Sequence, residues 1–190
     1  MDTMETALRL AGVIRESIVD GPGWRFVVFA QGCPHHCPGC QNPQTHDFAG
    51  GYDSKVGNLI AELRKNPLLS GVTLSGGDPF AQAEPFAVLA AEVHKLGLNV
   101  ITYTGWTYEQ IMDGLDSHAG WRDLLAETDV LVDGRFLLEE KSLAILFRGS
   151  RNQRTIDVKR SQAQGAAVEC DLKDGMPAYR LLSQAEMIQV

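Results

Sequence analysis

The chain has 190 residues, 44% hydrophobic and 22% charged, which fits one folded domain and excludes long disorder, collagen-like structure and a disulfide-dense secreted scaffold. With 17 basic and 24 acidic residues the formal net charge is −7, which argues against a nucleic-acid partner and against attraction to an anionic membrane. No apolar run approaches the roughly 20 residues that span a bilayer. MDTMETALRL is acidic where a secretion signal needs positive charge, so a cytoplasmic protein without a membrane partner is expected.

Taken in order, the first extended stretch surrounds Val13 and Ile14, and Asp20-Gly21-Pro22-Gly23 marks a turn. Trp24 to Gln31, WRFVVFAQ, reads as a buried strand, followed by a Gly- and Pro-rich loop to about Asp53. Val56, Leu59, Ile60 and Leu63 recur at helical spacing between Ser54 and Asn66, with Asn66-Pro67 as the stop. Gly71 to Leu74 is a short strand ending in Ser75-Gly76-Gly77-Asp78-Pro79. Phe86, Leu89, Ala90, Val93 and Leu96 form the stripe of the next helix, capped by Gly97.

Leu98 to Tyr103 is a strand closed by Thr104-Gly105, and Tyr108 to Leu115 and Trp121 to Leu125 read as helices. Asp129 to Asp133 is a strand closed by Gly134. Further strands are expected at Leu143 to Phe147 and Thr155 to Val158, and a hairpin or a loose tail over the last 30 residues. Strands alternating with helices predict an α/β fold with a mainly parallel sheet, whose ligands sit beyond the carboxyl ends of the strands. That rule gathers the cysteine loop, the Gly-Gly-Asp turn, Thr104-Gly105 and Asp133-Gly134 on one rim.

The loop GCPHHCPGC places Cys33, Cys37 and Cys40 in a Cys-x3-Cys-x2-Cys pattern. In a reducing compartment such crowding means metal or redox chemistry. Three thiolates can hold three irons of a [4Fe–4S] cube and leave the fourth iron open to a substrate or cofactor; a full set of protein ligands would need four cysteines. The competing reading is structural zinc with His35, His36 or His46 as fourth ligand, although no second cysteine pair follows downstream. Cys170 stands far away and reads as a small buried apolar residue. At the strand-to-helix turn, Gly76 and Gly77 expose backbone to a ligand, Asp78 adds an acceptor suited to an ammonium group, and Pro79 suits a first helical turn. Taken alone, that segment reads equally as a capped tight turn.

Together, the three-cysteine motif and the later Gly-Gly-Asp-Pro resemble the radical S-adenosylmethionine superfamily. Asp20-Gly21-Pro22-Gly23, SGGDP, YTGWT at 103–107, VLVDGRF at 130–136 and FRGSRNQR at 147–154 narrow the resemblance to the activating enzymes of anaerobic, glycyl-radical ribonucleotide reductases. It covers about residues 10–158. The resemblance implies a single radical S-adenosylmethionine domain over 1–190, with a core of about 10–158 and a C-terminal extension of 159–190. A full eightfold barrel typically needs about 250 residues, so a partial (β/α) barrel is expected.

By the same resemblance, Cys33, Cys37 and Cys40 ligate the cube, and the amino and carboxylate groups of S-adenosylmethionine chelate the open iron. Gly39 and Gln41 flank Cys40 and lie against the cofactor; many relatives carry an aromatic residue where this chain has Gln41. Gly76 and Gly77 bind the methionine amino group with Asp78 beside them, and Asp133 and Arg135 resemble an Asp-x-Lys pair that contacts the cofactor in a related activase. Reductive cleavage gives methionine and a 5′-deoxyadenosyl radical, which takes a hydrogen atom from a glycine of the partner, expected to be the anaerobic ribonucleoside-triphosphate reductase. A small donor such as flavodoxin or ferredoxin supplies the electron.

Arg148, Arg151 and Arg154 form a basic segment that either docks that partner or is a solvated loop. Trp106 and Tyr108 read as core residues before cofactor contacts, and His94 and His118 as surface residues. Activation of another glycyl-radical enzyme, a radical enzyme acting on a small molecule, and a non-catalytic zinc or iron–sulfur module are the alternatives.

Overall fold

A computed structural model describes residues 2–173 and 175–177. Seven strands form one sheet in the order β3-β1-β2-β4-β5-β6-β7: β1 Ala7–Ser17, β2 Arg25–Ala30, β3 Tyr52–Lys55, β4 Gly71–Gly76, β5 Asn99–Tyr103, β6 Val130–Asp133 and β7 Arg154–Asp157. The four central strands, β2, β4, β5 and β6, run parallel, and antiparallel neighbours complete both flanks. The sheet is therefore mixed α/β with a parallel middle. RFVVFA, GVTL and VLVD are nearly continuous apolar runs because their strands are covered on both faces.

Five helices follow in sequence: α1 Val56–Leu63, α2 Ala83–His94, α3 Tyr108–Gly114, α4 Trp121–Ala126 and α5 Val158–Gln164. Their apolar residues join Phe26, Val28, Val72, Leu74, Val100 and Leu131 of the strands in one core, so the helices share one face of the sheet. In α1, Val56, Leu59, Ile60 and Leu63 are all buried, as their spacing requires. The helix α3 starts at a reciprocal capping box between Thr107 and Gln110.

Alternation along the strands sends Ile101, Val130 and Val132 to the opposite face, where Leu172 completes a smaller cluster flanked by Tyr103, Phe147, Cys170 and Met176. The stretch beyond α5 thus covers the second face. It is tied to β7 through Asp157 N–H donating to Val168 O (2.9 Å) and Cys170 N–H donating to Thr155 O (2.8 Å).

Several expectations need correction. The first strand is 11 residues long, because β1 pairs with both β2 and β3 and is held well beyond Val13 and Ile14. The polar strand β3 has no apolar signal and forms by pairing with β1. Leu143 to Phe147 is no strand: it is a run of bends and turns, with Phe147 at φ 57 and Leu143 92% exposed. A helix, α5, begins directly after β7 and takes in the first residues of the expected tail, its start capped by the Asp157 carboxylate and its end by Gly165 at φ 70. The rest of the expected hairpin or tail falls largely outside the described residues.

Candidate active site

The rim beyond the carboxyl ends of β2, β4, β5 and β6 carries the chemically distinctive segments. The cysteine loop leaves β2, the Gly76-Gly77-Asp78 turn ends β4, Thr104-Gly105 follows β5, and Asp133-Gly134 ends β6. Backbone bonds join them: Gly77 N–H donates to Ala30 O (2.8 Å), Asp78 N–H to Gly32 O (2.9 Å), Thr104 N–H to Val132 O (2.9 Å) and Gly134 N–H to Trp106 O (3.1 Å). Packing here is tight. A Cβ on Gly77 would lie 2.2 Å from Gly32 O, and one on Gly76, at φ 97, would lie 2.6 Å from Ala30 N. Only glycine lets β4 approach the root of the cysteine loop this closely.

Within that loop Cys33 is buried, whereas Cys37 and Cys40 are partly exposed. Burial pushes the Cys33 thiol up to about 11, while the nearby backbone N–H groups of His35 and His36 pull the other way. Asn42 N–H donates to Cys40 Sγ (3.4 Å), and Cys40 N–H to Cys37 O (3.1 Å). Backbone donors aimed at sulfur are what cluster thiolates need. Among the described residues no three His, Cys, Asp or Glu side chains gather as ligands of one ion would. A [4Fe–4S] cluster held here would take one thiolate each from Cys33, Cys37 and Cys40. His36 and His46 meet edge-on, ring centroids 4.9 Å apart. The His46 Nε2 atom is buried and has no partner among the described residues, and burial lowers the pKa of the ring.

Asp78 is fully buried, and its carboxylate is a hub. It accepts from Phe80 N–H (2.9 Å), capping the short 3-10 turn Pro79–Gln82, and from Thr104 Oγ1 (2.9 Å), Gly105 N–H (2.9 Å) and His35 Nε2 (3.0 Å). With four protein donors in place, the carboxylate ties the cysteine loop to the ends of β4 and β5. His35 is the residue that reading by motif left without a catalytic task; its side chain is 5% exposed and its ring meets Trp106 edge-on at 4.3 Å.

Asp133 is equally enclosed, at 1% exposure. It accepts from Tyr108 N–H (2.7 Å) and from Arg154 Nε (3.0 Å) and Nη2. Arg154 also holds Glu109 through both Nη atoms, at 3.1 and 2.7 Å. So Arg154 bridges buried Asp133 and exposed Glu109, and Arg148 donates to Gln153 O (3.0 Å), whereas Arg151 is exposed. Arg135 is exposed on the same rim, as are Gln41 and Gly39, and Leu138 overlies Gly39. Trp106 packs on Trp121 and Tyr108 is buried, as core residues. His118 stacks on Trp121 at 4.0 Å, and His94 bridges Glu127 and Asp129, so both histidines have structural partners. Cys170 is half-buried beside the smaller cluster.

A rim with three cysteines in eight positions beside a glycine turn defines a protein built to hold an iron–sulfur cluster, and the family described as "4Fe-4S single cluster domain" matches residues 19–156. Among curated proteins, the anaerobic ribonucleoside-triphosphate reductase-activating protein of Vibrio cholerae is 33% identical over 144 residues, 72% of this chain and 89% of that one. The proteins of that name in Escherichia coli K12 and phage T4 are 30% and 34% identical over 72% of this chain, covering 90% and 85% of their own lengths. The chain therefore belongs to the family of anaerobic ribonucleoside-triphosphate reductase-activating proteins. QueE from Escherichia coli shares 18% identity over 53% of each chain with a TM-score of 0.43, too slight a likeness to bear on fold or chemistry.

Proposed function

We propose that this protein is the radical S-adenosylmethionine activase of an anaerobic ribonucleoside-triphosphate reductase. The observation that carries the reading is the direct hydrogen bonding of the three-cysteine loop to the Gly76–Gly77–Asp78 turn in a chain of this family. Cys33, Cys37 and Cys40 hold a [4Fe–4S] cube through three irons. The chemistry supplied by the loaded cluster and S-adenosylmethionine is one-electron cleavage of the sulfonium and removal of a hydrogen atom from a glycine of the reductase.

The remaining work belongs to the chain. Gly76 and Gly77 offer backbone to the amino end of the cofactor, and Asp78 keeps that turn in place. Gly39 and Gln41 line the exposed side of the cluster loop. Arg135 supplies the positive charge on the rim, and buried Asp133 steadies the segment that carries it. An exposed rim suits a substrate that is a protein loop.

The sheet is read as a partial (β/α) barrel within one domain over 1–190, with a core of about 10–158 and an extension of 159–190 whose Leu172 packs on the second face. The parallel middle and the one-sided helices support this. A flavodoxin or ferredoxin supplies the electron. Among the described residues no helix is long and apolar enough to cross a membrane, and a cytoplasmic location suits the chemistry.

The test is anaerobic reconstitution followed by three measurements: iron and sulfide content, reductant-dependent release of 5′-deoxyadenosine, and the glycyl-radical EPR signal on added reductase. The wild type should show all three. Replacing Cys33, Cys37 or Cys40 by Ala should remove most iron and all cleavage, whereas Cys170→Ala should retain both. Cleavage that survives in Cys37→Ala would overturn the assignment.

A further inference from the structure

We propose that His35 is a positioning residue that locks the cluster loop against the turn at the end of β4. The proposal rests on the functional reading above and adds to it a residue that is neither cluster ligand nor cofactor contact. His35 lies midway between Cys33 and Cys37 in the chain, yet its side chain turns away from the loop and into the rim. There its Nε2 meets Asp78 Oδ2 at 3.0 Å, with the carboxylate buried. The same carboxylate accepts from Thr104 Oγ1 and Gly105 N–H, so one bond ties the β2 loop to the ends of both β4 and β5.

Contacts hold the ring from two further sides. Trp106 meets it edge-on, and the backbone at Gly105 lies so close that a Cβ there would be 2.3 Å from His35 Cδ2. The Nδ1 atom is buried and has no partner among the described residues, so the bond to Asp78 is the polar contact that orients the imidazole. A bond between side chains this deeply buried is directional and costly to lose. Its loss leaves all three cysteines in place but frees their loop to shift relative to Gly76 and Gly77. A cofactor that must touch both the cluster and the turn senses that shift; the thiolates that hold the cube do not.

The experiment uses the reconstituted full chain in wild-type, His35→Ala, His35→Gln and Gly105→Ala forms. Three quantities are read: iron content, the EPR spectrum of the reduced cluster with and without S-adenosylmethionine, and the dissociation constant of that cofactor. His35→Ala should keep its iron and its cofactor-free spectrum, lose most of the cofactor-induced spectral change, and bind S-adenosylmethionine about tenfold more weakly, the lower end of what loss of a group orienting metal ligands costs. In His35→Gln the side-chain amide can still donate to Asp78, and most of the affinity should return. Gly105→Ala displaces the ring without altering it, and should weaken binding in the same direction even if His35→Ala fails to fold.

Wild-type affinity in both His35→Ala and Gly105→Ala would overturn the proposal, as would loss of iron from His35→Ala, which would make His35 a support of the cluster itself. If His35→Gln matched His35→Ala, the bond to Asp78 would not be the operative contact. A wild-type cluster indifferent to S-adenosylmethionine would instead refute the functional reading.

Discussion

Gly77 shows how closely the rim is built. Its backbone lies against Gly32, and a Cβ would meet Gly32 O at 2.2 Å and Thr45 O at 3.0 Å, both of them main-chain atoms that cannot swing aside. A side chain at this position therefore disturbs the root of the cysteine loop as well as any ligand beyond it. Gly77→Ala should cost about 1–3 kcal/mol, the usual range for overpacking a tight site, and the denaturant midpoint would show it. Gly12→Ala is the control: nothing lies within 4 Å of the added carbon, so its midpoint should stay close to that of the wild type. Equal loss in the two variants would mean that helix or strand propensity, and not the contact with Gly32, sets the cost. Asp78, four hydrogen bonds deep, belongs to the same architecture, which is why the site is better described by what holds the turn than by which carboxylate faces the cofactor.

Between elements, the principal tie on the distal side of the rim is Arg154 at the start of β7. It spans Asp133 at the end of β6 and Glu109 in the first turn of α3. The two carboxylates raise the guanidinium pKa, and Arg154 in turn holds Glu109 down to about 2. Removing the arginine leaves the Asp133 carboxyl group buried and short of partners. Arg154→Ala should therefore lose about 3 kcal/mol, the low end for breaking a buried pair because Arg154 is partly exposed, read from chemical unfolding. Arg151→Ala, on the exposed turn, should leave stability unchanged. The basic segment thus divides: Arg154 and Arg148 are partly buried and bonded within the chain, and Arg151 is exposed. An Arg154→Ala protein as stable as the wild type would show that β6, β7 and α3 are held together by their apolar contacts alone.

For the molecule as a whole, Glu109 and His94 tie stability to pH in opposite senses. Glu109 has a folded-state pKa below its ordinary value, so its contribution is complete above the ordinary carboxylate range and disappears as pH falls through about 2. Its exposure makes this contribution sensitive to salt. His94 moves the other way. Its hydrogen bond to Asp129, reinforced by Glu127, raises the imidazole pKa. Its contribution is complete below the ordinary imidazole value and is lost as pH rises through the elevated one. The wild type should therefore be more stable at about pH 6 than at about pH 8.5, and His94→Gln should flatten that limb. An unchanged limb in His94→Gln would assign the dependence to another group. Both ties join a helix to a strand start, α2 to that of β6 and α3 to that of β7.

Much of this protein was legible in its sequence, because the signals are local. Helical spacing located α1 and α2, apolar runs located β2, β4, β5 and β6, and the cysteine and glycine motifs fell at strand ends where a parallel sheet gathers them. Other features were decided only by contacts across the chain. The polar residues of β3 become a strand because β1 offers them an edge, and LAILF stays irregular, paired with none of the described strands. Arg154 reads as a surface charge until β7 pairs antiparallel with β6 and brings it to Asp133. His35 reads as a spare ligand until folding places Asp78 within 3.0 Å of its ring. Periodicity and motif spacing act over a few residues, and the chain carries them wherever it goes; the partner of a buried charge or ring nitrogen is chosen by packing, which sets close contacts between residues far apart in sequence and excludes the water that would otherwise serve them.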